Sequence, residues 1–527
     1  MHKRSPHRFT SVSSAPVRIT DAEPWPEARV TASHGRGSAA LVAEVPVASG
    51  WSTTASNRAV LLACVLLFTS LLALTCASVR LRDGAPNSPV MQSSAWNVPP
   101  LRALPGDTMV DVDAFRRMAL NARLFHDAVP RFIALRIGYY ALLAWSCVTL
   151  LWVIYLWTVW RVRNRRISTR VVACGGVALA VLAFSVPPVF STDSFSYAMF
   201  GRLAAVYGAN PYATTPASTA PADPLMTYVY WRDIPSPYGP LWTLLSQFTA
   251  ADKHATPLEL ALRFKLIGLV ATLLNGWLIY RLVRYRWPDR AAWAYLAYAW
   301  NPLVLVEGIV AAHNDALILT VVLIGAHLLY RARSELAIAA LTVSGLIKYS
   351  TVPIAGIAAL RLLLRTPLPR RLPTVARIAA TSAVLVVAAF VPFWAGTASL
   401  AGTLSQPGQG VNNALLLSVA WGASAVTNGF VRIEGGTALT LLAGLLFGAW
   451  QIASLWRQRA RAGSWAVHDE LADWSATLAM LLLVFPRVYT WYFVVPLGLA
   501  LAAGPKHRRA FARVLVLSML SYSSYFS

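Results

Sequence analysis

Acidic side chains are scarce in this chain: 22 of 527 residues are Asp or Glu, against 46 Lys and Arg, and only 13% of residues are charged. Soluble domains carry roughly 25% charged residues. So few charges cannot keep a chain that is 57% hydrophobic in water as an ordinary globular fold. Cysteine is scarce as well. Cys64, Cys76, Cys147 and Cys174 each lie in or at the end of an apolar run, with no pairing pattern and no metal-ligand spacing. A disulfide scaffold is excluded, and packing is their reading. An internal repeat is also missing, which argues against a transporter built from inverted halves.

What the chain has instead is a series of apolar runs about 17–25 residues long, the length that crosses a bilayer. Mean hydropathy is +0.53. The net charge of +24 is carried by short basic runs between them, "RVRNRRISTR" (161–170), "RLVRYRWPDR" (281–290), "RTPLPRRLPTVAR" (365–377), "RQRARA" (457–462) and "KHRR" (506–509). Basic loops between spans mark the cytoplasmic side, so anionic lipid is the expected partner of this charge and nucleic acid is not. The expected fold is an all-α, polytopic transmembrane helical bundle of about 13 spans. Residues 1–58, rich in Ser, Pro, Ala and Arg, are expected to form a disordered cytoplasmic tail, with residues 59–527 as the membrane domain. Spans are expected near 59–78, 137–160, 170–190, 259–283, 291–312, 315–332, 376–396, 436–456, 472–487, 489–504 and 510–526. Residues 336–365 should make a helical hairpin around "IKYST". Large loops near 80–135 and 191–257 then lie outside.

The outer side carries an unusual set of polar residues. "STDSFSYAMFGRLAAVYGANPY" (191–212) opens the longest loop after the third span. Its pattern predicts a helix from Asp193 to Tyr207, stopped by Gly208 and Pro211. The Tyr and Phe content suits a helix lying in the membrane interface. Thr192 or Asp193 could simply cap it. Further along, "YVYWRDIPSPYGPLW" (228–242) supplies Arg232, Asp233 and Tyr238, and "NPLVLVEGIVAAHNDAL" (301–317) supplies Glu307, His313, Asn314 and Asp315. Lys348 and Tyr349 stand at the hairpin tip, Asn412 and Asn413 in a later loop. "FPRVYTWYFVVPL" brings Arg487, Tyr489 and Trp491. Ionisable groups near bilayer depth are costly and usually pair or line a cavity. The expected topology brings all of these to one face.

These motifs, "DSFSYAMFGRLAAVYGANPY", "SPYGPLW", "NPLVLVEGIVAAHNDAL", "ALTVSGLIKYSTVP" and "PRVYTWYFVVPL", resemble in order and spacing the membrane glycosyltransferases of the GT-C superfamily. The likeness is to the polyprenol-phosphate-mannose-dependent α-1,6-mannosyltransferases of bacterial envelopes, and it covers roughly residues 130–527. It implies a multi-span helical enzyme in the bacterial cytoplasmic membrane with its active site outside. It further implies a polyprenyl-phosphate sugar donor, a glycan or lipid-linked acceptor, no cofactor, and an acidic residue of the first large outer loop as catalytic base. Asp193 matches that position.

The chemistry agrees. A sugar on a lipid phosphate has a leaving group that departs as an anion, whereas a glycosidase needs two carboxylates to expel a poor alkoxide. One base plus cations suffices, and one-base displacement inverts the anomeric carbon. Lys348, Arg487, Arg232 and Arg202 are the candidates for the phosphate. Snorkelling to the interface is the competing expectation for Lys348, and a solvated helix face for Arg202. His313, Asn314 and Asp315 could ligate a metal with Asp193, but their spacing matches no metal signature. Contacts to sugar or acceptor hydroxyls, or bracing of the outer loop, are expected of them instead; Tyr238, Tyr489 and Trp491 could stack on sugar rings, although belting at the membrane interface is the commoner reason for such aromatics. The reading from another class is a transporter or flippase of lipid-linked sugar, which needs a site near the midplane reachable from both sides.

Overall fold

The computed structural model describes residues 51–82, 131–188, 191–400, 402, 444–453, 466–485 and 488–522. Most of the expected tail, most of the 80–135 loop, Asn412, Asn413 and Arg487 lie outside them. The described residues are helical throughout, apart from turns and one isolated bridge between Ala395 and Thr397.

Helices form where apolar runs are long and free of Gly-Pro punctuation. Trp51–Arg82, Arg131–Val162 and Thr169–Ser185 come first, and the first of these packs on the other two. It begins inside the segment expected as tail. Pro257–Arg286 starts from a capping box, in which the Thr256 hydroxyl accepts from the Glu259 N–H while Glu259 reaches back to the Thr256 N–H. That arrangement satisfies two of the donors a helix start leaves open. Ser334–Ile347 and Val352–Arg365 form the expected pair of helices, joined at Lys348 by a tight turn over Tyr349–Thr351. Leu368–Phe390, Val467–Val484, Val494–Ala502 and Arg508–Leu520 follow.

Among the described residues, four helices, within Ala55–Leu74, Trp145–Val162, Pro257–Arg286 and Leu368–Phe393, are long and apolar enough to cross a membrane, and the bent pair Val304–Val310 and Asp315–Tyr330, taken as one span, makes a fifth. Shorter apolar helices run over Thr169–Ser185, Ser334–Ile347, Gly444–Ala453 and Thr490–Ala502. The chain is thus a helical membrane bundle.

The expected continuous span 291–312 is broken. The helix Pro288–Ala299 ends at Trp300, and a wide-turn π-helical segment, Val304–Val310, replaces its second half. The cause is Asn301-Pro302. Pro302 cannot donate to the preceding turn and disfavours a helical residue before it. Asn301 restarts the chain by accepting from the Leu303 N–H at 2.9 Å and donating to the Tyr155 hydroxyl at 2.9 Å. A second break follows. The axis turns by 108° between Val304–Val310 and Asp315–Tyr330, with Ala312 at φ 58°, a conformation that costs a residue with a Cβ about 1–3 kcal/mol. Gly268 allows this bend to sit against the Pro257–Arg286 helix: a Cβ there would lie 2.2 Å from the Gly308 carbonyl oxygen.

The Asp193–Ala205 helix is a correction to the interface reading. Every residue from Asp193 to Leu203 is buried. The helices Pro240–Thr249 and Pro257–Arg286 pack on it, and Tyr197 is enclosed by Tyr238, Trp242 and Phe264 at ring distances of 4.9, 4.9 and 5.7 Å. Its aromatic residues are core, not a lipid-facing belt.

Candidate active site

Three chain breaks meet in one place: the start of the 193–205 helix, the bend at residues 311–314, and the turn at Lys348. What fastens the first two together is Lys265, fully buried in the first third of the 257–286 helix. Its ammonium donates to the carbonyls of Val186 at 2.6 Å, Val310 at 3.1 Å and Ala183 at 3.4 Å. Val186 ends the helix that leads to Asp193, and Val310 ends the π-helical segment that leads to His313. A buried charge is tolerated where its donors are satisfied. Here that satisfaction sets the spacing of two segments over 100 residues apart. The residue was not foreseen, although one lysine inside "KLIGLVATLLNGW" is the kind of intramembrane charge that marks function by default.

Asp193 does not cap its helix. Thr192 is the N-cap and makes no side-chain cap bond. The Asp193 carboxylate turns to the cluster instead, where its Oδ2 lies 3.4 Å from His313 Nδ1 and accepts from the Tyr197 hydroxyl at 3.4 Å. Burial first, and the Asp193 charge next, push the Tyr197 phenol well above its ordinary value, so it stays protonated as a donor. The other ring nitrogen of His313 lies 3.4 Å from Glu307 Oε2. His313 therefore stands between two carboxylates. A neutral ring donates to one of them, and an imidazolium donates to both. Neither contact is aligned as a hydrogen bond.

The third carboxylate is Asp315, at the first turn of the Asp315–Tyr330 helix. It accepts from Lys348 Nζ at 2.7 Å. That ammonium also sits 4.0 Å from the centre of the Tyr492 ring, an attraction to the ring face. Lys348 therefore does not snorkel, and its side chain is 16% exposed. Accessibility separates the acids: the side chain of Asp193 is 12% exposed, against 4% for Asp315 and none for Glu307. Asp193 is thus the least buried of the three carboxylates. Between them Asn314 is buried, and neither atom of its amide has a protein partner. Such a group is costly unless a ligand or water completes it.

The aromatic residues divide. Tyr238 closes the Asp193 side, its ring 4.9 Å from Tyr197. Burial, then the Asp193 charge, push its phenol well above the ordinary value. Trp491 stacks on His313 with ring centres 3.8 Å apart and on Tyr489 at 4.5 Å, both nearly parallel. Two parallel rings cannot share one face of the indole at those distances, so Trp491 is sandwiched. This corrects its expected stacking on a sugar: both faces are taken, and it fixes the His313 ring instead.

The other cations are not brought to the cluster. Arg202 lies nine residues beyond Asp193 on the same helix, about 13 Å along the axis. Its guanidinium is bound to Asp223 at 2.8 Å and to the carbonyls of Asp252 and Lys253. It is neither solvated, as its helix face suggested, nor free for a phosphate, and it braces the loop. Arg232 is exposed beside Asp233 at 3.9 Å. Arg487 is outside the described residues. Among the described residues, no group of three or more His, Cys, Asp or Glu side chains is placed to hold a metal ion.

The chain matches the profile of the α-(1→6)-mannopyranosyltransferase family, N-terminal domain, over residues 106–364. It is 29% identical over 355 residues to α-(1→6)-mannopyranosyltransferase A of Mycobacterium tuberculosis, covering 64% of this chain and 66% of that one. It is 32% identical over 146 residues to a probable α-(1→6)-mannopyranosyltransferase of Mycolicibacterium smegmatis, covering 26% and 25%. It is 26% identical over 170 residues to α-(1→6)-mannopyranosyltransferase A of Corynebacterium glutamicum, covering 32% and 34%. The matched stretches span from a quarter to just under two thirds of these relatives' lengths. No solved structure matches the chain significantly. The resemblance to α-1,6-mannosyltransferases read from the motifs is thereby shown. Asp193, Lys265, Glu307, His313, Asp315 and Lys348 all fall within residues 106–364, whereas Tyr489, Trp491 and Tyr492 lie beyond them.

Proposed function

We propose that this chain, a relative of the α-(1→6)-mannopyranosyltransferases, is a GT-C-type mannosyltransferase of the cytoplasmic membrane. It takes mannose from a polyprenyl phosphate and places it on a glycan or lipid-linked acceptor on the outer side. The observation that carries this reading is the least buried carboxylate of the cluster, Asp193, backed by His313 and Glu307, beside one lysine, Lys348, held by Asp315.

Asp193 is the general base. The acceptor hydroxyl oxygen attacks the anomeric carbon of the bound mannose and its proton passes to Asp193. The bond from that carbon to the phosphate oxygen breaks, its electron pair leaving with the phosphate. Inversion in this single displacement turns a β-linked donor into an α-linked product. His313, donating from Nδ1, stabilises the Asp193 carboxylate before transfer, and the proton taken from the acceptor rests on Asp193 after it. Lys348 meets the charge that develops on the departing phosphate with the donors Asp315 does not use. Asn314 supplies an unoccupied amide for sugar hydroxyls. A site that does not have to protonate its leaving group needs no second catalytic acid. Asp315, neutralised by Lys348, is not one. A transporter of lipid-linked sugar would also exploit a broken helix, but the relatives are mannosyltransferases, which favours transfer.

Sidedness is tested separately. In a cysteine-free background, Asp233→Cys, whose native side chain is 79% exposed, is expected to react in intact cells with a membrane-impermeant thiol reagent. Arg333→Cys, at the far end of the bundle, is expected to react only after permeabilisation. The reverse pattern overturns the outer placement of the site.

A further inference from the structure

At the end of the bundle opposite Asp193, a cavity of about 360 Å³ opens between the 257–286 and 315–330 helices. The sixteen-residue Asp315–Tyr330 helix places it about 24 Å along the axis from the Asp315–Lys348 pair. Its lining includes the apolar Leu278, Ile324 and Leu328 and the basic Arg281, Arg331 and Arg333. Among the described residues, no carboxylate pairs with any of the three.

Arg281 is held in place. Its guanidinium lies 5.0 Å from the centre of the Trp277 ring and 5.9 Å from that of Tyr285, and it donates to the Tyr285 hydroxyl at 3.3 Å. His327 forms the back wall, with Nδ1 3.0 Å from the Leu323 carbonyl and Nε2 buried with no protein partner. A solvated basic loop requires no aromatic clamp, whereas a guanidinium held in a fixed plane is placed to meet an anion with parallel N–H groups.

The same helix shows which anion. Leu266, Val270, Leu274 and Trp277 are 52, 56, 37 and 48% exposed. Their spacing of four, four and three residues puts them on one face, and Arg281 is four residues further on. The stripe from Leu266 to Arg281 is about 22 Å long, more than the roughly 15 Å depth of one hydrocarbon leaflet. An acyl chain lying on it brings its own phosphate to Arg281. We propose that this groove is a binding site for an anionic glycerophospholipid in the leaflet opposite the candidate active site: the phosphodiester on Arg281, Arg331 and Arg333, one acyl chain along the stripe. The proposal does not depend on the transferase reading.

The test uses the full chain purified from mixed micelles of phosphatidylglycerol and phosphatidylcholine, with retained lipid counted by native mass spectrometry. Phosphatidylglycerol is expected to be retained in preference to phosphatidylcholine. Arg281→Gln should lower that retention about tenfold, the usual effect of losing one charge-assisted contact. Ile324→Trp leaves every charge in place and fills the apolar part of the cavity, and should lower it too. Arg508→Gln with Arg509→Gln, a basic pair elsewhere, should not. Equal retention of the two lipids overturns the proposal, as does a loss with the Arg508 and Arg509 control equal to that with Arg281→Gln. Survival of retention in Ile324→Trp reduces the site to surface charge and overturns the groove. Displacement of the lipid by millimolar inorganic phosphate assigns the site to a soluble anion instead. Unfolding temperatures in detergent, unchanged among the variants, exclude misfolding as the cause.

Discussion

Asp193→Asn is expected to fold, to bind donor, and to lose turnover by roughly 10²–10⁴, the usual contribution of a positioned base. Asparagine matches aspartate in size and caps a helix about as well. A structural reading therefore predicts a nearly normal enzyme. The geometry gives that reading little to stand on, because the carboxylate makes no cap bond and faces His313 and Tyr197. The amide cannot take a proton from the acceptor. Donor affinity measured alongside kcat separates the two accounts: kcat falls and donor binding stays. Near-normal turnover would return Asp193 to a structural role.

The second large effect is at Lys348. Lys348→Met removes the partner of a buried carboxylate, and breaking such a pair typically costs about 3–5 kcal/mol. The single variant should therefore be unstable, and its inactivity alone would say little. Lys348→Met combined with Asp315→Asn removes both charges, and its unfolding temperature in detergent should return close to that of the native protein. Its donor use should remain impaired, by about 10- to 150-fold, equivalent to a charge-assisted contact of roughly 1.5–3 kcal/mol. A stable double variant with unchanged donor KM and kcat would remove Lys348 from the phosphate and leave it a strut for Asp315.

Much of this cluster was legible in the sequence for one physical reason. A chain with 22 acidic residues cannot place several of them beside apolar runs without a use for each, so Asp193, Glu307 and Asp315 stand out with His313 and Lys348. Their convergence was expected because placing every basic loop on one side leaves these residues together on the other. The breaks were less legible. "WNP" at 300–302 carried a signal, Pro302 after Asn301, yet the apolar residues on either side hide it in any reading by hydropathy. The π-helical turn after it carries no composition of its own. Burial of the 193–205 helix was misread because Tyr and Phe serve a lipid interface and a helix core equally well, and only the packing of the 240–249 and 257–286 helices decides between them. Arg202 was misread because its partner, Asp223, is twenty-one residues away in a loop without periodicity. Trp491 shows the limit most plainly. Its spacing announced an aromatic residue near the site, but not that His313 and Tyr489 cover both of its faces.

The account rests on transfer from a lipid phosphate, and the most direct measurement is a stoichiometry. The purified protein in proteoliposomes is given polyprenyl-phosphate mannose radiolabelled in the sugar, together with an α-mannoside acceptor. The account predicts one α-(1→6)-linked mannose on the acceptor for each polyprenyl phosphate released, with no transfer from a mannose nucleotide. Transfer from the nucleotide alone, or movement of intact mannosyl lipid across the bilayer without a new glycosidic bond, would contradict it.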